Sequence, residues 1–174
     1  MTEFRFIRRL SLCTLLLVIA AAGSVSAHGQ EKHSERTKMD QHMRAMMAVK
    51  DQVPEDYRVM ERTPIIPDAE SLARGEKLFV QNCAVCHGEK GEGKGPAAAT
   101  LQTPPANFLD THHSSMYNPG EKYWIIGNGS GATGMPPFPG LSPADRWHLV
   151  NHILFLQQGQ ALEDLFTSEK MLHD

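Results

Sequence analysis

Asn82-Cys83-Ala84-Val85-Cys86-His87-Gly88 is the stretch on which the reading of this chain turns. Two cysteines two residues apart, followed directly by a histidine, form the attachment signal of a c-type haem. The two thiols add across the porphyrin vinyl groups as thioethers, and the adjacent imidazole reaches the iron from one face. Two other uses of a Cys-x-x-Cys pair need features absent from this sequence, and a simple disulfide is the remaining alternative. A thiol-redox site opens a helix within a βαβ pattern, and structural zinc takes about four ligands, for which no second pair is available.

A haem held this way usually takes a second axial ligand from elsewhere in the chain. Thr133-Gly134-Met135-Pro136-Pro137 supplies the best candidate, because residues that disfavour regular structure surround Met135 and let an extended segment pass close to a porphyrin face. Met116, His112 and His113 compete with it, and a histidine ligand would lower the reduction potential relative to methionine.

Working outward, Asp68 after Pro67 predicts the start of a helix running to about Gln81, with Leu72, Ala73, Phe79 and Val80 at helical spacing. Gly75 interrupts that helix at an intrinsic cost of about 1 kcal/mol, which predicts the close approach of another helix there. The partner is expected to begin at Ser142 and Pro143 and to carry Trp147, Val150, Ile153 or Leu154, and Gln157 on successive turns. A middle helix is announced by Asn118, Pro119 and Glu121, with Gly127 as its stop. The Gly91–Pro96 segment is too rich in glycine for regular structure. No strand precedes it and no Walker lysine-serine pair closes it, so it is not a phosphate cradle.

Taken in order, Gly75, Leu78, Phe79, the Cys83–Gly88 motif, Gly91, Gly93, Gly95, Pro96, Gly127, Gly129, Met135, Pro136, Pro137, Leu141, Ser142, Asp145, Arg146, Trp147, Leu149 and Val150 make Ser71–Gln157 resemble the single-haem class I cytochrome c domain of exported bacterial proteins. The resemblance implies an all-α fold, a small class I cytochrome c domain around one covalent haem c, with electron transfer as the activity. It makes His87 the proximal ligand and Met135 the distal one, and it assigns the Pro96 carbonyl as acceptor for His87 Nδ1. Where the family often carries an aromatic ring, this chain has His152, which is read as a core or helix-crossing residue rather than a metal ligand.

The flanks lie outside that resemblance. Arg5, Arg8 and Arg9 precede an apolar run from Leu10 to Ala22 and a small-residue stretch, Val25-Ser26-Ala27, which together read as a secretory signal over residues 1–27. The run is too short to span a bilayer, so no transmembrane segment is expected in a mature chain from His28. Removing residues 1–27 leaves 14 basic and 19 acidic side chains. That balance excludes nucleic acid as a partner and favours redox proteins with a basic docking patch. Residues 28–66 are expected to form a helical extension over about Ser34–Asp51 and a proline-bearing connector, residues 67–158 the cytochrome domain, and 159–174 a tail.

Within the extension, Met39, His42, Met43, Met46 and Met47 recur at spacings of three and four, which puts several of them on one helix face, a pattern that suits adaptable packing and also weak copper binding, with His28 and His33 assisting. The expected role is a one-electron carrier and not an enzyme. Its form is either a soluble carrier or an electron-relaying subunit of an exported oxidoreductase, with a dehydrogenase or a terminal oxidase or reductase as partner, in the periplasm or otherwise outside the cytoplasm. A copper-handling protein with a cytochrome domain and a haem enzyme with an open axial position are the alternatives.

Overall fold

Asp68 opens the first long helix of the domain because its Oδ1 accepts the Ser71 N–H at 2.9 Å, satisfying one of the donors that every helix start leaves free. The computed structural model describes residues 43–171, with side-chain surroundings through residue 160. By contacts the chain divides into two units, Met1–Arg44 and Ala45–Asp174, and the second carries α2 to α7. In order along the chain the helices are α1 (residues 43–52), α2 (Glu55–Arg58), α3 (Ala69–Asn82), α4 (Ala84–His87), α5 (Thr111–Ser114), α6 (Pro119–Asn128) and α7 (Pro143–Met171), with a 3-10 turn at Ala98–Thr100. Among the described residues the β-pairing is one isolated bridge, Ser130 with Met135, so the fold is all-α.

The α3–α7 crossing organises the core, and Gly75 sits at its centre as its sequence context predicts. A Cβ on Gly75 would lie 2.2 Å from the His148 carbonyl oxygen and 2.8 Å from His152 Cβ. The backbones therefore approach as closely as two helices can, and Phe79, Leu149 and Val150 are fully buried around the contact. A polar thread ties the same crossing to the preceding connector: Asn151 Nδ2 donates to Ser71 Oγ at 2.9 Å and to the Ile65 carbonyl at 3.0 Å, while Ser71 Oγ pairs with His148 Nδ1 at 2.9 Å. His152 is buried at this crossing with its ring 5.3 Å from that of Phe79.

α7 starts where expected, with Ser142 Oγ accepting the Asp145 N–H at 3.1 Å. It does not end near residue 158. The helix continues to Met171, through most of the segment read as a separate tail. After Pro143 no proline occurs in the chain, and the single Gly159 costs only about 1 kcal/mol, too little to stop a helix already propagating.

α6 carries a full capping box: Asn118 Oδ1 accepts the Glu121 N–H and Glu121 Oε2 accepts the Asn118 N–H, both at 2.8 Å. Its stop is Gly129 rather than Gly127. Gly129 has φ +73° and would drive a Cβ to 2.7 Å from the Met135 carbonyl oxygen. Gly127 serves another purpose, since a Cβ there would meet the Arg146 guanidinium at 2.3 Å. Over the same helix, Arg146 stands 4.8 Å above the Tyr123 ring, and Tyr123 stacks on Trp147 at 4.2 Å.

The compact unit begins at Ala45, so the boundary expected at residue 67 falls inside it. Met46, Val49 and Val53 are buried, and Tyr57 stacks on Tyr123 at 5.8 Å. Where the connector meets α6, three charged groups gather. Glu121 is buried, Lys50 Nζ lies 3.5 Å from its Oε1, and the buried Lys122 ammonium donates to the Tyr117 carbonyl.

Burial lowers the Lys122 pKa to about 8, with the Glu121 charge opposing that shift and Lys50 adding to it. An unfolded lysine titrates near 10.5, so between pH 8 and 10.5 the unfolded state binds more protons and stability rises with pH; below pH 8 both states are protonated and the contribution is constant. The unfolding free energy of the native protein is therefore expected to rise across pH 8–10 relative to that of Lys122→Met, by up to about 3 kcal/mol in chemical denaturation. Parallel pH profiles for the two proteins would contradict this.

Candidate haem site

Cys83 closes α3, its N–H donating to the Phe79 carbonyl at 2.8 Å, and it also opens the single turn of α4, its carbonyl accepting the His87 N–H at 2.9 Å. Within that turn Cys86 and His87 stand three and four residues after Cys83, so both thiols and the imidazole share one side while Val85 is exposed on another. Both cysteines are free thiols. Burial pushes the Cys83 thiol up to about 12, with the neighbouring Cys86 charge adding to the effect. A neutral thioether at that position removes the cost of ever ionising it.

The glycine-rich segment after the motif is a cradle for the motif's own backbone. Gly93 N–H donates to the His87 carbonyl at 2.7 Å, Gly95 N–H to the Cys86 carbonyl at 3.0 Å, and Ala97 N–H to the Val85 carbonyl at 2.9 Å. These bonds satisfy carbonyls that a one-turn helix leaves free. The approach is tight enough that a Cβ on Gly95 would sit 2.4 Å from the Ala84 oxygen and 2.5 Å from that of Val85. Gly95→Ala is therefore expected to lower the stability of the protein by about 2 kcal/mol or more, measured by chemical denaturation; an unchanged midpoint would show that the cradle yields freely.

His87 Nδ1 lies 3.0 Å from the Ala106 carbonyl oxygen, which corrects the expected Pro96 acceptor. The residues flanking Pro96 are already bonded to the motif backbone, and the chain passes the imidazole only later, beyond Pro104-Pro105. A carbonyl can only accept, so Nδ1 carries the proton and Nε2 is left with a free lone pair. Burial lowers the imidazole pKa, the Ala106 hydrogen bond working against that shift, which favours the neutral ring that can bind a metal. Phe108 stacks on the His87 ring at 4.8 Å and packs edge-on to Phe79 at 6.1 Å, so the imidazole plane is held from behind. Ala106 and Phe108 carry no motif in the sequence; the two prolines before them are the only local sign of an extended passage.

Met135 lies on the loop between α6 and α7. The Met135 carbonyl accepts the Ser130 N–H at 2.8 Å, the Ser130 carbonyl accepts the Gly134 N–H at 2.8 Å, and Phe138 N–H donates to the Ile126 carbonyl at 3.1 Å. The loop is thus pinned to the C-terminal end of α6, and the half-buried Met135 and Cys83 side chains pack against the same apolar core. His113 Nδ1 pairs with Asp110 Oδ2 at 2.7 Å, and its neighbour His112 is exposed. α5, which carries both, is tied to α7 through Gln157 Nε2 and the Ser114 carbonyl at 2.8 Å, and the Met116 carbonyl takes Lys50.

Two free thiols, a neutral imidazole with one free nitrogen and a half-buried thioether are the donor chemistry of a covalent haem c, and the residues present fit that group. In the extension, Met39, His42, His28 and His33 fall outside the described residues, while Met46 is buried in packing. Among the described residues no cluster of three His, Cys, Asp or Glu side chains could hold a metal ion, and no helix is long and apolar enough to cross a membrane.

The all-α fold is built on a crossing at Gly75, with the two thiols and the imidazole on the turn that follows α3. Residues 70–153 match the family model of cytochrome c oxidase, cbb3-type, subunit III, and the domain they span is a class I c-type cytochrome domain, the kind that transfers electrons through covalently bound haem c. No curated protein gives a significant match to the chain. Among solved structures, a chain of the Kuenenia stuttgartiensis reducing HAO-like protein complex is similar at 26% identity and a TM-score of 0.47, over 53% of this chain and 46% of that one.

Proposed function

We propose that this chain is a one-electron carrier holding one haem c through Cys83 and Cys86, with His87 and Met135 as axial ligands. The observation that carries the reading is the His87 imidazole, fixed by the Ala106 carbonyl and Phe108 with Nε2 free, on the same turn as two unpaired thiols. Bound haem supplies the ferric/ferrous couple; the protein supplies ligands, orientation and burial. The Ala106 hydrogen bond raises the basicity of His87. The Ser130–Met135 turn would present the thioether, and a haem held by both His87 and Met135 would leave no open position for a substrate. The arginine-led apolar N-terminus supports export to the periplasm, and the name of the matched family, an oxidase subunit, supports an electron-relaying subunit as the form the carrier takes.

Spectra of the ferric protein test the assignment. The native protein is expected to show the weak near-infrared thioether-to-iron absorption, and Met135→Ala to lose it while keeping the haem through denaturation. Absence of that absorption in the native protein would point to His112, His113 or an open axial position, and its persistence in Met135→Ala would point to Met116.

A further inference from the structure

The cytochrome match begins at residue 70, yet the N-terminal end of α6 is buried by chain that precedes it. Residues 45–66 cross that end and hold it at several points. Lys50 Nζ donates to the Met116 carbonyl at 2.8 Å and stands 3.5 Å from Glu121 Oε1. Tyr117 Oη donates to the Met46 carbonyl at 2.7 Å, Asn118 Nδ2 donates to the Arg58 carbonyl, and Gly120 N–H donates to the Met60 carbonyl at 3.1 Å. Tyr57 stacks on Tyr123, and its backbone comes so close that a Cβ on Gly120 would lie 2.2 Å from the Tyr57 oxygen. Glu121 is 1% exposed under this cover, and among the described residues Lys50 supplies the opposite charge that reaches its carboxylate from outside α6.

The other end of α6 bears the Met135 loop. Phe138 N–H reaches the Ile126 carbonyl and Gly129 abuts the Met135 carbonyl, so a displacement of this ten-residue helix moves the loop with it. A packed helix shifts as a body rather than bending within three turns.

The geometry points to residues 45–66 as a strap that positions the Met135 loop by clamping α6 at its far end, with Lys50 as the latch. Lys50 and Glu121 are positioning residues, acting on the thioether through the helix. The consequence for the haem rests on Met135 being the axial ligand; the mechanical coupling between strap and loop does not.

The test uses the full-length haem-bound protein and two independent ways of loosening the strap, Lys50→Met and Gly120→Ala, with Lys50→Arg as the conservative control. Amide exchange is followed in residues 45–66, in the loop 129–138 and in α3. Both loosening variants are expected to exchange about tenfold faster in the strap and in the loop, with α3 unchanged, and Lys50→Arg to match the native protein. The near-infrared thioether absorption is expected to weaken in parallel. Faster exchange confined to the strap, with loop and absorption unchanged, would overturn the proposal and leave residues 45–66 a passive cover. If the native protein lacks the thioether absorption, the Met135 ligand assignment fails, and loop exchange alone still decides whether the strap is coupled.

Discussion

Gly75→Val is expected to destabilise the haem-bound protein by about 3 to 5 kcal/mol in chemical denaturation, the upper end of what one substitution does in a small domain. The sign is decided by two opposing effects of known size. Replacing a mid-helix glycine ordinarily stabilises a helix, by about 1 kcal/mol for alanine and less for a β-branched residue. Against that, a Cβ at this position lies 2.2 Å from a backbone oxygen of α7, an atom that cannot rotate away. The helices must separate, and Phe79, Leu149 and Val150, buried to 0% beside the contact, lose their packing together. Gly75→Ala already places that Cβ, and is expected to cost about 2 kcal/mol despite its better propensity. A gain in stability from alanine would show that the crossing is looser than its geometry.

The second large effect concerns the cofactor's part in folding. A Cys83→Ala, Cys86→Ala double variant is expected to retain no haem through a denaturing gel and to lose near-native tertiary order, read as collapsed NMR dispersion and absent near-ultraviolet dichroism. Between α4 and α6 the chain contributes one 3-10 turn, the four-residue α5 and otherwise loops that make few core contacts of their own. Ordering such segments costs roughly 1.5 kcal/mol per residue. A porphyrin offers the apolar surface that opposes this cost, and Cys83 and Cys86 would tether it where the loops converge on His87. Native-like dispersion in the double variant would mean that the protein core suffices without it.

The parts legible in the sequence are those whose determinants lie within one turn of each other. Asp68 with Ser71, Asn118 with Glu121, and Ser142 with Asp145 close hydrogen bonds three residues apart, so the helix starts were readable from residue type and spacing. The haem motif is local in the same sense, two thiols and an imidazole on a single turn. Gly75 was readable because a glycine inside a helical pattern calls for a close neighbour.

What only the tertiary structure decided are choices among chemically equivalent groups. Every residue offers a carbonyl, and Ala106 rather than Pro96 receives His87 because the path of the chain places it there. Gly127 and Gly129 are equally permissive, and Arg146 and the Met135 carbonyl assign them different tasks. The strap over α6 joins Lys50 to Glu121 across 71 positions, a pairing that no local pattern encodes. Short-range hydrogen bonds are written into residue order, whereas long-range partners are selected by which surfaces the packed backbone brings within a few ångströms.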